Sequence, residues 1–103
     1  MDDNGKHLTA GLRRGKEEAF AYVFRMYYSP LLNYAGRILK DVEAANDVVQ
    51  ECFCRLYERR RELRKELQVR PYLYKSVYNY AGIIRFLFFE SRGDSRGGAS
   101  FAG

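Results

Sequence analysis

The 103-residue sequence has one histidine, His7, and two cysteines, Cys52 and Cys54. A metal site built on the cysteines lacks partners, because His7 lies in a polar leader. Two apart on a helix, the cysteines point to different faces and cannot pair with each other, so two reduced thiols are expected. The apolar run 83–89 contains Arg85 and is far short of the roughly 20 residues that a membrane span needs. Met1, Asp2 and Asp3 make an acidic start with no early apolar core behind it, so a signal peptide is not expected. These features together predict a soluble, cytoplasmic protein without a membrane partner.

The chain is also poor in catalytic patterns. It has no glycine loop to cradle phosphate, no paired-histidine or His-x-Glu metal motif, and no nucleophile with a base nearby. Asp47 and Glu51 stand one helical turn apart but have no further donors at matching spacing to hold a cation. No catalytic residue, metal or cofactor is expected, and the sequence reads as a binding protein. Nothing alternates apolar and polar residues over a strand's length, so the fold class expected is all-α.

What is present is a globular balance, 47% apolar and 30% charged residues, in a length suited to one domain. The net charge of +5 and pI near 9.4 lean moderately toward anionic partners. Three stretches divide the chain. Residues 1–15 form a polar N-terminal leader interrupted by Gly5, Gly11 and Gly15, for which a short or frayed start is expected. Residues 16–90 form the helical domain. Residues 91–103, glycine, serine and arginine with little apolar content, read as a disordered tail.

The helical domain predicts a compact bundle of about four helices. Glu17 and Glu18 suit a helix N-terminus, and Phe20, Val23, Phe24 and Tyr27 recur at i, i+3, i+4, i+7. Ser29 and Pro30 then read as the N-cap and first residue of a second helix, with Leu31, Leu32, Ala35, Ile38 and Leu39 facing inward. Lys40 and Asp41 end it, and Asp41 can cap a third helix running from about Val42 to about Arg60. Val48 or Val49, Cys52, Phe53 and Leu56 would face its inside. A poorly periodic stretch, 59–68, includes a loop. Pro71 marks the start of the last helix, with Tyr72, Leu73, Ser76, Val77 and Tyr80 on one face and Tyr74, Lys75, Tyr78 and Asn79 on the other.

Two constellations carry chemistry. Residues 41–58 hold five acids (Asp41, Glu43, Asp47, Glu51, Glu58) against one base, Arg55. Residues 59–70 hold six bases (Arg59, Arg60, Arg61, Arg64, Lys65, Arg70) against two acids. Charge alone fits two solvated faces equally well. The second constellation follows directly: Tyr72, Tyr74, Tyr78 and Tyr80 with Lys75 and Asn79 among them. Basic groups hold phosphates, aromatic rings offer platforms for unstacked bases, and an amide can read a base edge. Tyr72 and Tyr80 read as core residues with wet hydroxyls; Tyr74 and Tyr78 are expected to point outward.

These residues resemble a known family. Glu17, Glu18, Ala19 and Phe20, then Tyr27, Tyr28, Ser29, Pro30 and Leu31, resemble the "EAF…YY-P-L" opening of ECF-type sigma factors of bacterial RNA polymerase. Ile38, Leu39, Lys40 and Asp41, then Ala44, Ala45, Asn46, Asp47, Val48, Val49, Gln50, Glu51, Cys52 and Phe53, resemble the family's "A-D-V-Q-E-F" helix, and Arg70, Pro71, Tyr72, Leu73 and Tyr74 through Asn79 its "YLY-----N" helix. The resemblance covers roughly residues 12–80, in the family's second conserved region. It implies that Asp47, Gln50, Glu51 and Arg55 dock on the clamp helices of the largest subunit of core RNA polymerase. It further implies that Arg59, Arg60, Arg61, Arg64 and Lys65 hold phosphates of the non-template strand of the minus-ten promoter element. Tyr74, Lys75, Tyr78 and Asn79 would then lie near its bases, and an anti-sigma factor would be a further partner.

The sequence departs from the pattern after Asn79, where the family continues with polar and basic residues. Here residues 80–89 are unusually apolar, and Phe86, Phe88 and Phe89 are expected to form an exposed patch. The family's helix-turn-helix domain for the minus-thirty-five element is not expected within these residues. An alternative reading is a small helical interaction protein that binds polymerase or an anti-sigma partner without promoter recognition. A third is an unrelated adaptor whose basic loop contacts RNA or anionic lipid.

Overall fold

The computed structural model describes residues 2–95, with side chains from His7 to Leu87. Four α-helices follow in order: α1 (Asp2–Arg13), α2 (Glu17–Leu39), α3 (Val42–Glu58) and α4 (Val69–Ser95), with a short 3-10 turn, Arg60–Glu62, after α3. No strand occurs among the described residues. The all-α bundle of about four helices is therefore the fold, but two of its helices are not the ones the sequence pattern suggests.

The first difference is at Pro30, which lies inside α2 and does not begin a new helix. Proline in a helix interior removes one hydrogen bond and crowds the carbonyl four residues back, at a cost of about 3 kcal/mol. The apolar stripe explains why the helix continues. Val23, Leu31 and Ala35 are buried, and Phe20, Tyr27 and Ile38 pack beside them, so the periodicity passes through Pro30 without a change of phase. Breaking the helix there would pull half of that stripe off the core. Pro30 and Met26 are both exposed, which puts the disrupted bond on the solvent side.

The second difference is α1, where a polar leader with a short or frayed start was expected. Leu8, Thr9 and Leu12 share one face, and Leu12 is fully buried in the common core. Gly5 and Gly11 sit within this helix. At Gly11 a Cβ would stand 3.0 Å from the Cβ of Ala19, so the missing side chain lets α1 close on α2. Gly15 ends α1 with φ +75°, a left-handed conformation that glycine adopts without strain. Its N–H donates to the Leu12 carbonyl at 2.9 Å and the Lys16 N–H to that of Gly11 at 2.9 Å. This paired closure satisfies two carbonyls of the last turn.

The junction between α2 and α3 follows the expectation. Lys40 takes a left-handed conformation (φ 54°) and its N–H donates to the Gly36 carbonyl at 2.7 Å. Asp41 then caps α3, its Oδ1 accepting from the Ala44 N–H at 3.0 Å, an arrangement worth about 1 kcal/mol. Both Val48 and Val49 are buried, with Ala45, Cys52 and Leu56. α4 begins at Val69, so Pro71 falls in its first turn, where no intrahelical donor is required of it. Leu73, Val77 and Ala81 complete the core from this side. α4 runs on to Ser95, within the stretch 91–103 for which a disordered tail is expected. From residue 96 that expectation lies outside the described residues. No described helix is long and apolar enough to cross a membrane.

The cysteines separate as expected. Cys52 is buried and Cys54 exposed, and both are free. Burial pushes the Cys52 thiol up to about 11; Arg55 opposes the shift and Glu51 adds to it. The thiolate is the reactive form, so Cys52 is protonated and shielded at neutral pH. Alkylation of the native protein near pH 8 is expected to modify Cys54 alone, and denaturant to expose both, as read by intact mass. Equal labelling of both thiols in the native state would contradict this packing.

Candidate docking and nucleic-acid faces

The outward face of α3 carries Asp47, Gln50, Glu51, Arg55 and Glu58. All are exposed except Glu51, which is half-buried. Asp41 starts this helix in a fixed rotation and the Val48–Cys52–Leu56 stripe holds the opposite side on the core, so the acidic face is rigidly presented. Arg55 Nε donates to Glu51 Oε2 at 3.2 Å across one turn. Such a pair on an exposed helix contributes only about 0.3–0.5 kcal/mol. Arg55 also places its guanidinium 5.1 Å from the Tyr80 ring centroid on α4. It therefore ties α3 to α4, leaving Asp47, Gln50 and Glu51 as the part of the expected docking set with the strongest acidic character.

The basic segment after α3 is ordered by its few apolar residues. Leu63 and Val69 are buried and Leu67 half-buried, so the loop hangs on the core at three points while Arg59, Arg61, Arg64 and Lys65 project outward. Arg60 differs from the others. Its Nη1 donates to the Tyr57 carbonyl at 2.7 Å, and its guanidinium lies 4.0 Å from the Tyr57 ring centroid. A Cβ on Gly15 would come within 2.9 Å of its Nε. Arg60 is built into the turn, whereas its four neighbours are displayed.

On α4 the aromatic residues divide. Tyr78 is 60% exposed, and Lys75 and Asn79 are exposed beside it at i−3 and i+1, which makes one strip. Tyr74 does not join this strip. Its ring meets Tyr34 of α2 edge-on at 5.1 Å, and the Arg70 guanidinium covers it at 5.4 Å. The reason is helical phase: Tyr74 lies three residues before buried Val77 and seven before buried Ala81, on the same side. Beyond Asn79, an open groove is lined by Ile38, Tyr78, Asn79, Gly82, Ile83, Arg85 and Phe86. Phe86 is 62% exposed, as expected of the apolar patch; the side chains of Phe88 and Phe89 lie outside the described ones.

Sequence reasoning missed the residues that support the basic loop from α1. Thr9 Oγ1 donates to the Leu67 carbonyl and Arg13 Nε to the Leu63 carbonyl, each at 2.8 Å. The available signal was small: Leu63 and Leu67 four apart within a charged run, and Leu8 and Leu12 four apart in the leader.

The acidic face of α3 and the basic loop with the exposed strip of α4 are thus separate surfaces of one helical domain. The family model for Sigma-70 region 2 matches residues 23–82, more than half of the chain, and the chain belongs to that family. It is thus a domain of transcription initiation, of the kind that binds core RNA polymerase and promoter DNA. No curated protein and no solved structure matches the chain. The matched region takes in most of α2, all of α3, the basic loop and the first half of α4, and leaves α1 outside.

Proposed function

We propose that this domain docks an ECF-type sigma factor on polymerase and opens the minus-ten promoter element as single-stranded DNA. The observation that carries the reading is the exposed strip Lys75, Tyr78 and Asn79 on the helix that follows a displayed basic loop. Asp47, Gln50, Glu51 and Arg55 would meet the clamp helices of the largest polymerase subunit. Arg59, Arg61, Arg64 and Lys65 would hold phosphates of the non-template strand, with Arg60 shaping their turn. Tyr78 would stack on an unstacked base, Asn79 would meet a base edge, Lys75 would steady the backbone, and Tyr74 would hold the strip against α2. Holding bases that have left the duplex draws the closed–open equilibrium toward the open state without any bond chemistry.

The physics separates the two kinds of contact. Stacking on an aromatic ring is worth roughly 1–3 kcal/mol per base and depends little on salt. Each phosphate neutralised on a single strand contributes about −0.7 to the slope of log affinity against log salt. The test is fluorescence anisotropy of a labelled minus-ten single strand and its duplex, with the protein bound to core polymerase. Tyr78→Ala is expected to weaken single-strand binding about tenfold with the salt slope retained. Arg61→Glu with Arg64→Glu should abolish most binding and flatten the slope by about 1.4. Indifference to both changes, with polymerase still bound, would leave only the interaction protein.

A further inference from the structure

We propose that α1 is a clasp that sets the shape of the nucleic-acid loop, with Thr9 and Arg13 as its positioning residues. The inference rests on the function proposed above and adds to it a part of the chain that the family match does not cover. Thr9 is a fully buried polar side chain, and its hydroxyl is spent on the Leu67 carbonyl, 58 residues away. Arg13 donates to the Leu63 carbonyl, 50 residues away. The two accepting carbonyls bracket Arg64 and Lys65, which are exposed between them. A third contact comes from the end of α1. Gly15 leaves room for the Arg60 side chain, which is anchored on Tyr57.

The need for such a clasp follows from charge. Arg59, Arg60, Arg61, Arg64 and Lys65 lie within seven residues and repel one another, and the segment has no helix or sheet ladder beyond one 3-10 turn to resist them. Two long-range hydrogen bonds to its backbone keep the cationic side chains at fixed spacing. A loop already ordered binds a phosphate chain without the cost of ordering it at that moment. α1 packs chiefly against α2 and the 3-10 turn. Loss of the clasp should therefore act on DNA capture and spare polymerase docking.

The test uses the protein bound to core polymerase, with a fluorescein-labelled single strand of about 12 nucleotides as the probe. Thr9→Val keeps the side-chain shape and removes the donor; Arg13→Met removes the other and keeps a long side chain. Each is expected to weaken single-strand binding about tenfold and to speed amide exchange across residues 63–67, with polymerase affinity held within about twofold. Thr9→Ser, which restores the donor, should return binding to within about twofold of the parent. Should buried Thr9→Val fail to fold, half-buried Arg13→Met decides the matter. The clasp is overturned if both variants bind DNA like the parent while the Arg61→Glu, Arg64→Glu control has lost binding. It is equally overturned if polymerase and DNA affinity fall together, which reports general loosening of the core. If the control itself binds normally, the proposed function fails first and the clasp goes with it.

Discussion

Replacing Asp47 and Glu51 together by lysine is expected to lower affinity for core RNA polymerase by at least about 100-fold, with the fold retained. Two reversals exchange attraction for like-charge repulsion at a docking patch, an effect of several kcal/mol where the partner surface is basic. They also reverse the long-range steering that brings the partners together, so much of the loss should appear in the association rate and shrink with added salt. The stability of the domain should change little. Asp47 is exposed, lysine is a better helix former than aspartate, and the Glu51–Arg55 pair is a surface contact. Arg55 keeps its place over Tyr80, which holds α3 and α4 together without Glu51. Surface-immobilised polymerase and two ionic strengths suffice to read the result. If the doubly reversed protein binds like the parent, docking uses another face, and the acidic side of α3 is merely solvated.

Much of α3 and α4 was legible in the sequence because their signals are local. Asp41 announces a cap three residues before the N–H it accepts from, and the Val48–Cys52–Leu56 spacing is a stripe that no other element disputes. Pro30 shows where local reading fails. Serine followed by proline is a sound start signal, but the apolar phase shared by Val23 and Leu31 across that point is stronger, because it is backed by burial. The helix count came out near four by exchange: α2 absorbed two expected helices and α1 supplied one that was not expected.

The candidate faces were legible to the same degree and for the same reason. Blocks of charge, five acids and then six bases, are contiguous in the chain and survive folding as neighbouring surfaces. What each cation does was not visible. Arg60 and Arg61 are adjacent in sequence, yet one is stacked on Tyr57 and the other is exposed. Tyr74 and Tyr78 sit one turn apart, but Tyr74 packs on Tyr34 of α2 and Tyr78 is exposed. The hydrogen bonds from Thr9 and Arg13 join positions 58 and 50 residues apart, and no periodicity links such pairs before the bundle is assembled.

Leu12→Ala is expected to be the most destabilising single change in the first 15 residues, at about 3 kcal/mol. The leucine is fully buried and touches a core that α2, α3 and α4 also build, so truncation removes apolar burial and leaves a cavity. The loss is large against the 5–15 kcal/mol that stabilises a typical domain. For a chain of this size each kcal/mol moves the unfolding midpoint by about 4–8 °C, so a drop on the order of 15 °C should be seen. Leu8→Ala, at a half-buried position on the same face, should cost less than half as much, which makes the pair an internal control. Urea unfolding followed by helix signal gives both values from one experiment. A single cooperative transition shifted by Leu12→Ala places α1 within the unit that unfolds as one. A transition unmoved by it would mean that α1 leaves the bundle before the rest melts, and a helix that detaches so readily could not hold the loop through Thr9 and Arg13.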